Sequence, residues 1–308
     1  MAIFLSLLTK LAPLYILLFL GFLAGKYHAV QKESIAKMLV YFLLPAVVYL
    51  GVYKAEIKNT FFLLPLVFYI IVCSIALMAF FIGKFLWKDS TRTLFAYASA
   101  AGNIGYLGLP LCLMLFGEQA LPIAATLILG LSLFESTLGY YLFARSKSDF
   151  KSALLKLLKL PVLYAFIIGV IVNKFALSSP QALIEVFNLL KGGYSAFGMM
   201  IIGLGLAGIS QKDFDGKFIL LSMLNKFGLW FLIAYSLIWL DQNYLHLFNE
   251  ITYKVFLVES IVPIAGNTVS YASIFKTKPA KASIAVLLST LVALIFIPLI
   301  LIFMDMAS

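Results

Sequence analysis

The sequence has few charges, two histidines and two cysteines, and these shortages exclude several classes of protein. Of its 308 residues, 12% are charged and 63% are hydrophobic, whereas a soluble globular domain has about 25% charged residues. The mean hydropathy of +1.06 therefore indicates an integral membrane protein rather than a soluble enzyme. The alternating pattern of a membrane β-barrel is absent, which favours helices.

The scarcity of metal-binding and catalytic residues argues against an intramembrane enzyme. His28 and His246 both lie near membrane edges, so there is no histidine cluster, no HExxH motif and no aspartate pair inside an apolar run. Cys73 and Cys112 lie inside apolar runs, where we interpret them as buried thiols. No segment resembles a nucleotide-binding motif, and the interpretation requires no cofactor and no metal.

What the sequence does contain is a series of long apolar runs, each of which can cross the roughly 30 Å of hydrocarbon as a helix. Ten spans are predicted, at 3–25, 35–53, 60–87, 93–116, 119–144, 160–177, 193–209, 217–240, 252–275 and 282–303. No small-residue cleavage site follows the first run, so we expect a retained span rather than a signal peptide. Between spans six and seven, Pro180 to Lys191 predicts a short interfacial helix, and Gly192-Gly193 predicts a hinge or helix end.

Lysine and arginine are distributed unevenly between the loops. The loops after odd-numbered spans hold 16 of the 23 basic residues, the opposite side holds 6, and Lys226 lies inside a span. The positive-inside rule predicts a multi-pass protein of the cell (inner) membrane with both termini on the non-cytoplasmic side. The net charge of +10 reflects this bias, so we expect the lipid bilayer, and no nucleic acid, as a partner.

The first five spans resemble the last five. Ala101-Gly102-Asn103 in span four matches Ala265-Gly266-Asn267 in span nine, and Pro13 matches Pro161 near the starts of spans one and six. Because five is an odd number, the second copy inserts upside down relative to the first. We therefore predict an all-α fold of ten transmembrane helices in a five-plus-five inverted repeat, with residues 1–145 in one copy and 151–308 in the other.

Each Ala-Gly-Asn triplet places a helix breaker beside a hydrogen-bonding amide near the middle of a span. Glycine lets the backbone unwind, and an amide in hydrocarbon must find partners. The pair predicts two broken helices that cross at the midplane, with the positive N-terminal ends of two half-helices facing one cavity that favours an anion. The alternative is that each asparagine only holds neighbouring helices together.

The segment after Asn103 is poor helix chemistry, with Gly102, Gly105 and Gly108 at a spacing of three and then Pro110. Its Asn-x-x-x-x-Gly-x-Pro spacing, together with the stretch 263–267 (Pro-Ile-Ala-Gly-Asn), resembles the auxin efflux carrier family. Bacterial members of that family include transporters of malonate and similar small carboxylates. The ten-span layout with a basic central loop agrees with the family across essentially the whole chain.

The resemblance implies a scaffold of spans 1, 2, 6 and 7 and a mobile transport domain of spans 3–5 and 8–10. It also implies an elevator-like alternating-access motion, a homodimer and a small organic anion, such as a carboxylate, bound at the crossing. Plant members carry prolines at the crossing where this chain has Gly102 and Thr268. This departure weakens any inference that auxin is the substrate.

The candidate site residues fall into three groups. For substrate binding we predict Gly102, Asn103, Ile104, Gly105, Tyr106, Gly266, Asn267, Thr268 and Tyr271; for helix breaking, Pro110 and Pro263; and for proton or sodium coupling or gating, Glu259, Glu135 and Lys226. Glu259 comes two turns before Asn267 on the same helical side, which predicts that it lines the cavity. Lys226 either snorkels to the membrane surface, pairs with an acid or draws anions into a vestibule.

Three other classes of protein are compatible with parts of this pattern. A sodium-coupled organic-anion symporter of the related bile-acid transporter fold shares the crossed spans, but the expected acid with adjacent Gln and Asn in span nine is absent. An intramembrane enzyme lacks its catalytic residues. A receptor or inert scaffold gives no reason for polar breaks at the midplane. A secondary transporter of organic anions is therefore the leading hypothesis.

Overall fold

The computed structural model is all-helical over the residues that it describes, which are 2–28, 30–57, 59–144, 158–207 and 214–303. This part of the chain forms twelve helices, and the all-α prediction is confirmed. In chain order they are α1 (Ala2–His28), α2 (Lys32–Tyr53), α3 (Thr60–Leu86), α4 (Thr91–Ala100), α5 (Leu109–Phe116), α6 (Leu121–Phe134), α7 (Pro161–Lys174), α8 (Gln181–Ala207), α9 (Gly216–Leu245), α10 (Glu250–Ser260), α11 (Asn267–Ile274) and α12 (Pro279–Phe303).

Two short π-helical segments adjoin these helices. One, Ile104–Gly108, leads directly into α5. The other, Glu135–Gly139, extends α6 and is followed by one more helical turn at Tyr140–Ala144. A π-helical turn is wider than an α-helical one and is frequent at functional sites, because it redirects side chains without ending the helix.

Within the described part of the chain, six helical stretches are long and apolar enough to cross a membrane. They are Thr9–His28, Lys32–Tyr53, Thr60–Leu86, Ile104–Ala144, Gly216–Leu245 and Pro279–Phe303, and α7 is a shorter apolar helix. A multi-pass membrane protein is thereby supported. The count of ten spans, the inverted repeat and its division at 1–145 and 151–308 stay predictions, and much of the basic central loop, residues 145–157, lies outside the described residues.

The prediction of a separate interfacial helix with a hinge after it was wrong, whereas the predicted breaks in spans four and nine are present. The predicted interfacial helix at 180–191 and span seven are one continuous helix, α8, which passes through Gly192 and Gly193 without a hinge. A glycine inside a helix costs only about 1 kcal/mol, so the packing of a long helix outweighs the cost. The predicted fourth and ninth spans, in turn, are each divided into two helices, namely α4 with α5 and α10 with α11.

Helices α1 and α8 are in direct backbone contact. A Cβ atom added to Gly21 would lie 2.0 Å from the carbonyl oxygen of Met200, and one added to Gly203 would lie 1.9 Å from that of Leu18. No side chain fits at either position, so the two glycines permit the close packing of α1 against α8.

Candidate functional site

The polar triplets coincide with two interruptions in the helices. Helix α4 ends at Ala100, and helical structure resumes at Ile104. Helix α10 ends at Ser260, and α11 begins at Asn267. We call residues 101–103 the first break and residues 261–266 the second break. Both lie where the sequence predicts them.

The two breaks pair with each other through their backbones. The Asn103 N–H donates to the Pro263 carbonyl at 2.8 Å, and the Ala265 N–H donates to the Ala101 carbonyl at 3.0 Å, so Gly102 and Ile264 form an antiparallel β-bridge. Backbone groups released by unwinding need partners inside a membrane. Each break supplies partners for the other, and the predicted contact between the two breaks is confirmed.

A helix N-terminus follows directly after each break and faces it. The chain enters the π-helical turn at Ile104 and helix α11 at Asn267, and the first N–H groups of a helix have no acceptor within it. These groups carry the positive end of the helix dipole. The Asn103 carbonyl is already occupied by the N–H groups of Leu107 and Gly108, so the crossing presents mainly donors.

A cavity of about 500 Å³ lies against the crossing. It is bounded by both breaks and by α2, α6, α7, α8 and α11, and we call it the main cavity. Nine of the predicted site residues line it, namely Gly102, Asn103, Ile104, Gly105, Tyr106, Glu135, Gly266, Asn267 and Tyr271. The volume and the mixture of apolar walls with a few polar groups suit a small organic molecule.

Asn103 and Asn267 occupy different settings within this cavity. The Asn103 side chain is 4% exposed, and its Nδ2 has no hydrogen-bond partner among the described residues. The Asn267 Nδ2, in contrast, donates to both carboxylate oxygens of Glu135 at 3.0 Å. A buried amide donor without an acceptor costs about 1–3 kcal/mol, so Asn103 is a strong candidate for a ligand contact.

Glu135 is the centre of a hydrogen-bond network on the wall of the main cavity. Its Oε1 also accepts from the Tyr97 hydroxyl at 2.8 Å, and its backbone carbonyl accepts from the Tyr271 hydroxyl at 2.8 Å. Tyr97 was not predicted from the sequence, because nothing in span four indicates that its hydroxyl meets span five. Glu135 therefore takes the place at the cavity that the sequence analysis gave first to Glu259.

The expectation that Glu259 lines the cavity was wrong. Helix α10 ends one residue after Glu259, so helical spacing does not carry over to Asn267. Glu259 is fully buried beside the start of α5, where a Cβ atom on Gly108 would lie 1.8 Å from its Oε2 and the Cys112 thiol approaches its Oε1 at 3.8 Å. Gly108 is thus needed to make room for the carboxyl group.

Lys226 neither snorkels nor reaches the main cavity. It is 1% exposed, its Nζ donates to the Ser260 carbonyl at 3.3 Å and it lies 4.5 Å from the centre of the Trp230 ring. Glu259 also interacts with it electrostatically, but the two form no ion pair among the described residues. A positive charge at the carbonyl end of α10 interacts favourably with the negative end of the helix dipole.

Trp230 performs the equivalent task for the first break. Its Nε1 donates to the carbonyls of Ser99 and Ala100, each at 3.1 Å, at the end of α4. Lys226 and Trp230 are one turn apart on α9, so a single helix caps the carbonyl ends of both broken helices. Sequence analysis missed Trp230, since an indole in an apolar span has no distinguishing pattern.

Three further predicted residues have structural settings of their own. Thr268 is fully buried, its Oγ1 has no partner among the described residues and it does not line the main cavity, so its predicted substrate contact is not supported. Pro110 does not break a helix, because it lies in the first turn of α5 after the π-helical turn. Pro263 does lie in the second break, as predicted, and its carbonyl accepts a hydrogen bond from the Asn103 N–H.

A residue counted only as a loop charge lies beside the crossing. Lys32 begins α2 and lines a small pocket together with Asn103, Gly266 and Asn267; we call this pocket the side pocket.

Among the described residues, no group of three or more His, Cys, Asp or Glu side chains is placed to hold a metal ion.

Comparisons with known proteins agree with this architecture. A family model described as "Membrane transport protein" matches residues 6–301. An uncharacterized transporter of Methanocaldococcus jannaschii is 26% identical over 297 residues, covering 92% of this chain and 94% of its own length. Another, from Methanothermobacter thermautotrophicus, is 24% identical over 294 residues, covering 92% of each chain. The chain therefore belongs to this family of membrane transport proteins, the auxin efflux carrier family that its motifs resemble.

Proposed function

We propose that the protein is a secondary transporter of small organic anions, with carboxylates as the preferred class. The observation that carries the proposal is the Asn103 amide, which is buried at the main cavity with its Nδ2 unpartnered among the described residues. A carboxylate oxygen is the acceptor that this donor lacks. The helical N-termini at Ile104 and Asn267 add backbone N–H groups and dipole charge of the favourable sign.

We further propose that Glu135 couples anion binding to a proton. As a carboxylate, Glu135 places a negative charge on the cavity wall and occupies the Asn267 amide. Protonation removes the repulsion toward a bound anion and weakens the hold on Asn267, so proton and anion binding favour each other. Glu259 supports this role less well, because it lies behind the crossing.

The proposed mechanism is an elevator-like motion within a ten-span inverted repeat. The scaffold consists of α1, α2, α7 and α8, and the transport domain consists of α3 to α6 and α9 to α12. Its support is that the main cavity has α2, α7 and α8 on one side and the crossing on the other. Glu118, after α5, forms ion pairs with Lys191 of α8 and with Lys54 after α2 at 3.7 Å, which would tie the two domains in this conformation. The homodimer and the non-cytoplasmic termini remain part of the proposal.

Thermal stabilisation of the purified protein tests the anion site. Acetate, lactate, malonate and succinate are titrated with and without sodium against wild type, Asn103→Ala and Asn243→Ala, the last being an exposed amide that bonds to its own helix. We expect stabilisation by at least one carboxylate without sodium, lost in Asn103→Ala and kept in Asn243→Ala. Stabilisation only with sodium would favour the symporter, and no stabilisation by any anion would refute the proposal.

The coupling role of Glu135 has a matched control in Glu259. The affinity for a carboxylate that stays ionised throughout is measured between pH 5 and pH 8 for wild type, Glu135→Gln and Glu259→Gln. We expect binding to weaken as pH rises in wild type and Glu259→Gln, and to be independent of pH in Glu135→Gln. A pH dependence that disappears in Glu259→Gln instead would move the coupling role to that residue.

A further inference from the structure

Lys32 brings a positive charge to the side pocket. It is the first residue of α2 and shares the pocket with Asn103, Gly266 and Asn267. The donors that the crossing itself offers are neutral, namely amides and backbone N–H groups. Such donors bind a carboxylate, but they also bind a neutral carbonyl oxygen. The crossing alone therefore explains hydrogen bonding to a substrate better than it explains selection for negative charge.

The position of the ammonium is fixed by a glycine on the opposite helix. A Cβ atom on Gly205 of α8 would lie 3.3 Å from the Lys32 Nζ and 3.9 Å from its Cε. The glycine thus leaves room for the end of the lysine side chain between α2 and α8. Because Lys32 is partly buried here rather than extended into water, the charge is presented to the pocket.

Glu33, the next residue of α2, interacts electrostatically with this charge, but its side chain is exposed to solvent. Among the described residues, the ion pairs join Glu118, Glu250, Asp89 and Asp215 to other lysines, and none includes Lys32. A partly buried ammonium that is not held in an ion pair gains free energy from an incoming anion, because that anion replaces lost hydration. Lys37, five residues later on α2, is exposed and lines only the main cavity.

We infer that Lys32 is the residue that selects for negative charge in the substrate, by pairing its ammonium with the carboxylate of an anion held at the crossing. The inference rests on the proposed anion transport and adds a specificity-determining residue to it. Neutral analogues that satisfy the Asn103 amide lack the partner for Lys32. Removal of the lysine charge should therefore reduce the preference for the anion over its neutral analogue.

The test compares each carboxylate with its own amide. Binding of acetate, lactate, malonate and succinate, and of acetamide, lactamide, malonamide and succinamide, is measured for wild type, Lys32→Gln, Lys32→Arg and Lys37→Gln. For any anion that wild type binds, we expect Lys32→Gln to lose about ten-fold in affinity. Amide binding should stay unchanged. Lys32→Arg should retain most of the affinity, and Lys37→Gln should lose less than about two-fold, because an exposed charge is screened.

The outcomes separate this inference from the proposed function. If wild type binds none of the carboxylates, both fail. If wild type and Lys32→Gln bind an anion equally well, only the role of Lys32 fails. Equal losses in Lys32→Gln and Lys37→Gln would show a diffuse field rather than a pairing residue and would overturn the inference. A parallel loss of amide binding in Lys32→Gln would overturn it too, since that is the signature of a structural role.

Discussion

The two triplets at the breaks have the same Ala-Gly-Asn sequence, but their asparagine side chains have different hydrogen-bond partners. Asn103 leaves its Nδ2 without a partner among the described residues, whereas Asn267 is bonded to Glu135. The backbone of each break is hydrogen-bonded to the backbone of the other, which forms the crossing. The side chains that surround each break then determine its chemistry. A repeated motif can thus provide one amide for a ligand and one amide for an internal acid.

The largest expected effect distinguishes the residues that cap the carbonyl ends of the two broken helices. Lys226→Met removes a fully buried charge and leaves both the Ser260 carbonyl and Glu259 without their cation, which should cost about 3–5 kcal/mol. Trp230→Phe removes two neutral hydrogen bonds to the end of α4 and should cost about 1–2 kcal/mol. The midpoints of thermal unfolding in detergent measure the difference.

A double variant identifies the origin of the Lys226 effect. If the cost arises from leaving Glu259 uncompensated, Lys226→Met with Glu259→Gln should be more stable than Lys226→Met alone. A double variant as unstable as the sum of the two single variants would show that the two residues act independently.

The next effect concerns the glycines of the two triplets. A Cβ on Gly102 would lie 2.7 Å from the Lys226 Nζ and 2.9 Å from Val262 Cγ2, whereas a Cβ on Gly266 meets nothing within 4 Å. Gly102→Ala should therefore cost about 1–3 kcal/mol. Gly266 has helical dihedral angles, so Gly266→Ala should be neutral or gain up to about 1 kcal/mol. Equal unfolding midpoints for the two variants would refute this asymmetry.

The asparagines themselves should separate stability from binding. In the absence of ligand, Asn267→Ala removes a donor from half-buried Glu135 and should cost about 1–2 kcal/mol. Asn103→Ala removes no protein hydrogen bond of its Nδ2, so the unfolding midpoint should change little while anion binding is lost. Unfolding and binding measured on the same preparations check both halves. A large loss of stability in Asn103→Ala would show that its amide has a structural partner.

The smallest effect compares the N-terminal caps of α9 and α10, which are Asp215 and Asn249. Burial raises the pKa of Asp215, but hydrogen bonds from Lys281 and the Phe218 N–H lower it by a larger amount. The pKa therefore lies below its usual range. Its contribution to stability is present above the unfolded pKa of about 3.9 and is lost as pH falls through the folded pKa. Asp215→Asn should cost about 0.5–1 kcal/mol at pH 7, shrinking toward zero at the acid end of a pH series.

The neutral counterpart at α10 provides the control for that titration. Asn249 caps α10 by accepting from the Thr252 N–H at 3.1 Å. Asn249→Ala should cost about 1 kcal/mol at every pH, because no charge is involved. A pH-dependent effect in Asn249→Ala would show that the titration observed for Asp215→Asn arises elsewhere in the protein.

The sequence predicts the breaks well because their causes are local. Glycine and a buried amide in an apolar run disturb a helix wherever that run packs, so Gly102, Asn103 and Asn267 could be identified without a structure. The prediction for Glu259 was wrong because it assumed that the helix is not interrupted. Its predicted position assumed that helical spacing continues to Asn267, but α10 ends at Ser260, and one unwound segment changes the direction of every later side chain.

Contacts between distant parts of the chain could not be predicted in this way. Glu135 and Asn267 meet because span five packs beside the second break, and no periodicity within either segment encodes their hydrogen bond. Lys32 was assigned to a loop because the apolar run of the second predicted span begins only at residue 35. Only the packing of α2 against Gly205 shows that its amine turns inward.

The backbone bridge between the breaks has a consequence for the synthesis of the protein in the membrane. The N–H of Asn103 donates to the carbonyl of Pro263, and the carbonyl of Ala101 accepts from the N–H of Ala265. Both partners are synthesised about 160 residues later. Until the ribosome has delivered the later segment, the earlier one holds unsatisfied backbone groups at membrane depth, each costing several kcal/mol. We therefore expect the N-terminal half to be an incomplete folding unit until the segment that contains Pro263 and Ala265 has been inserted.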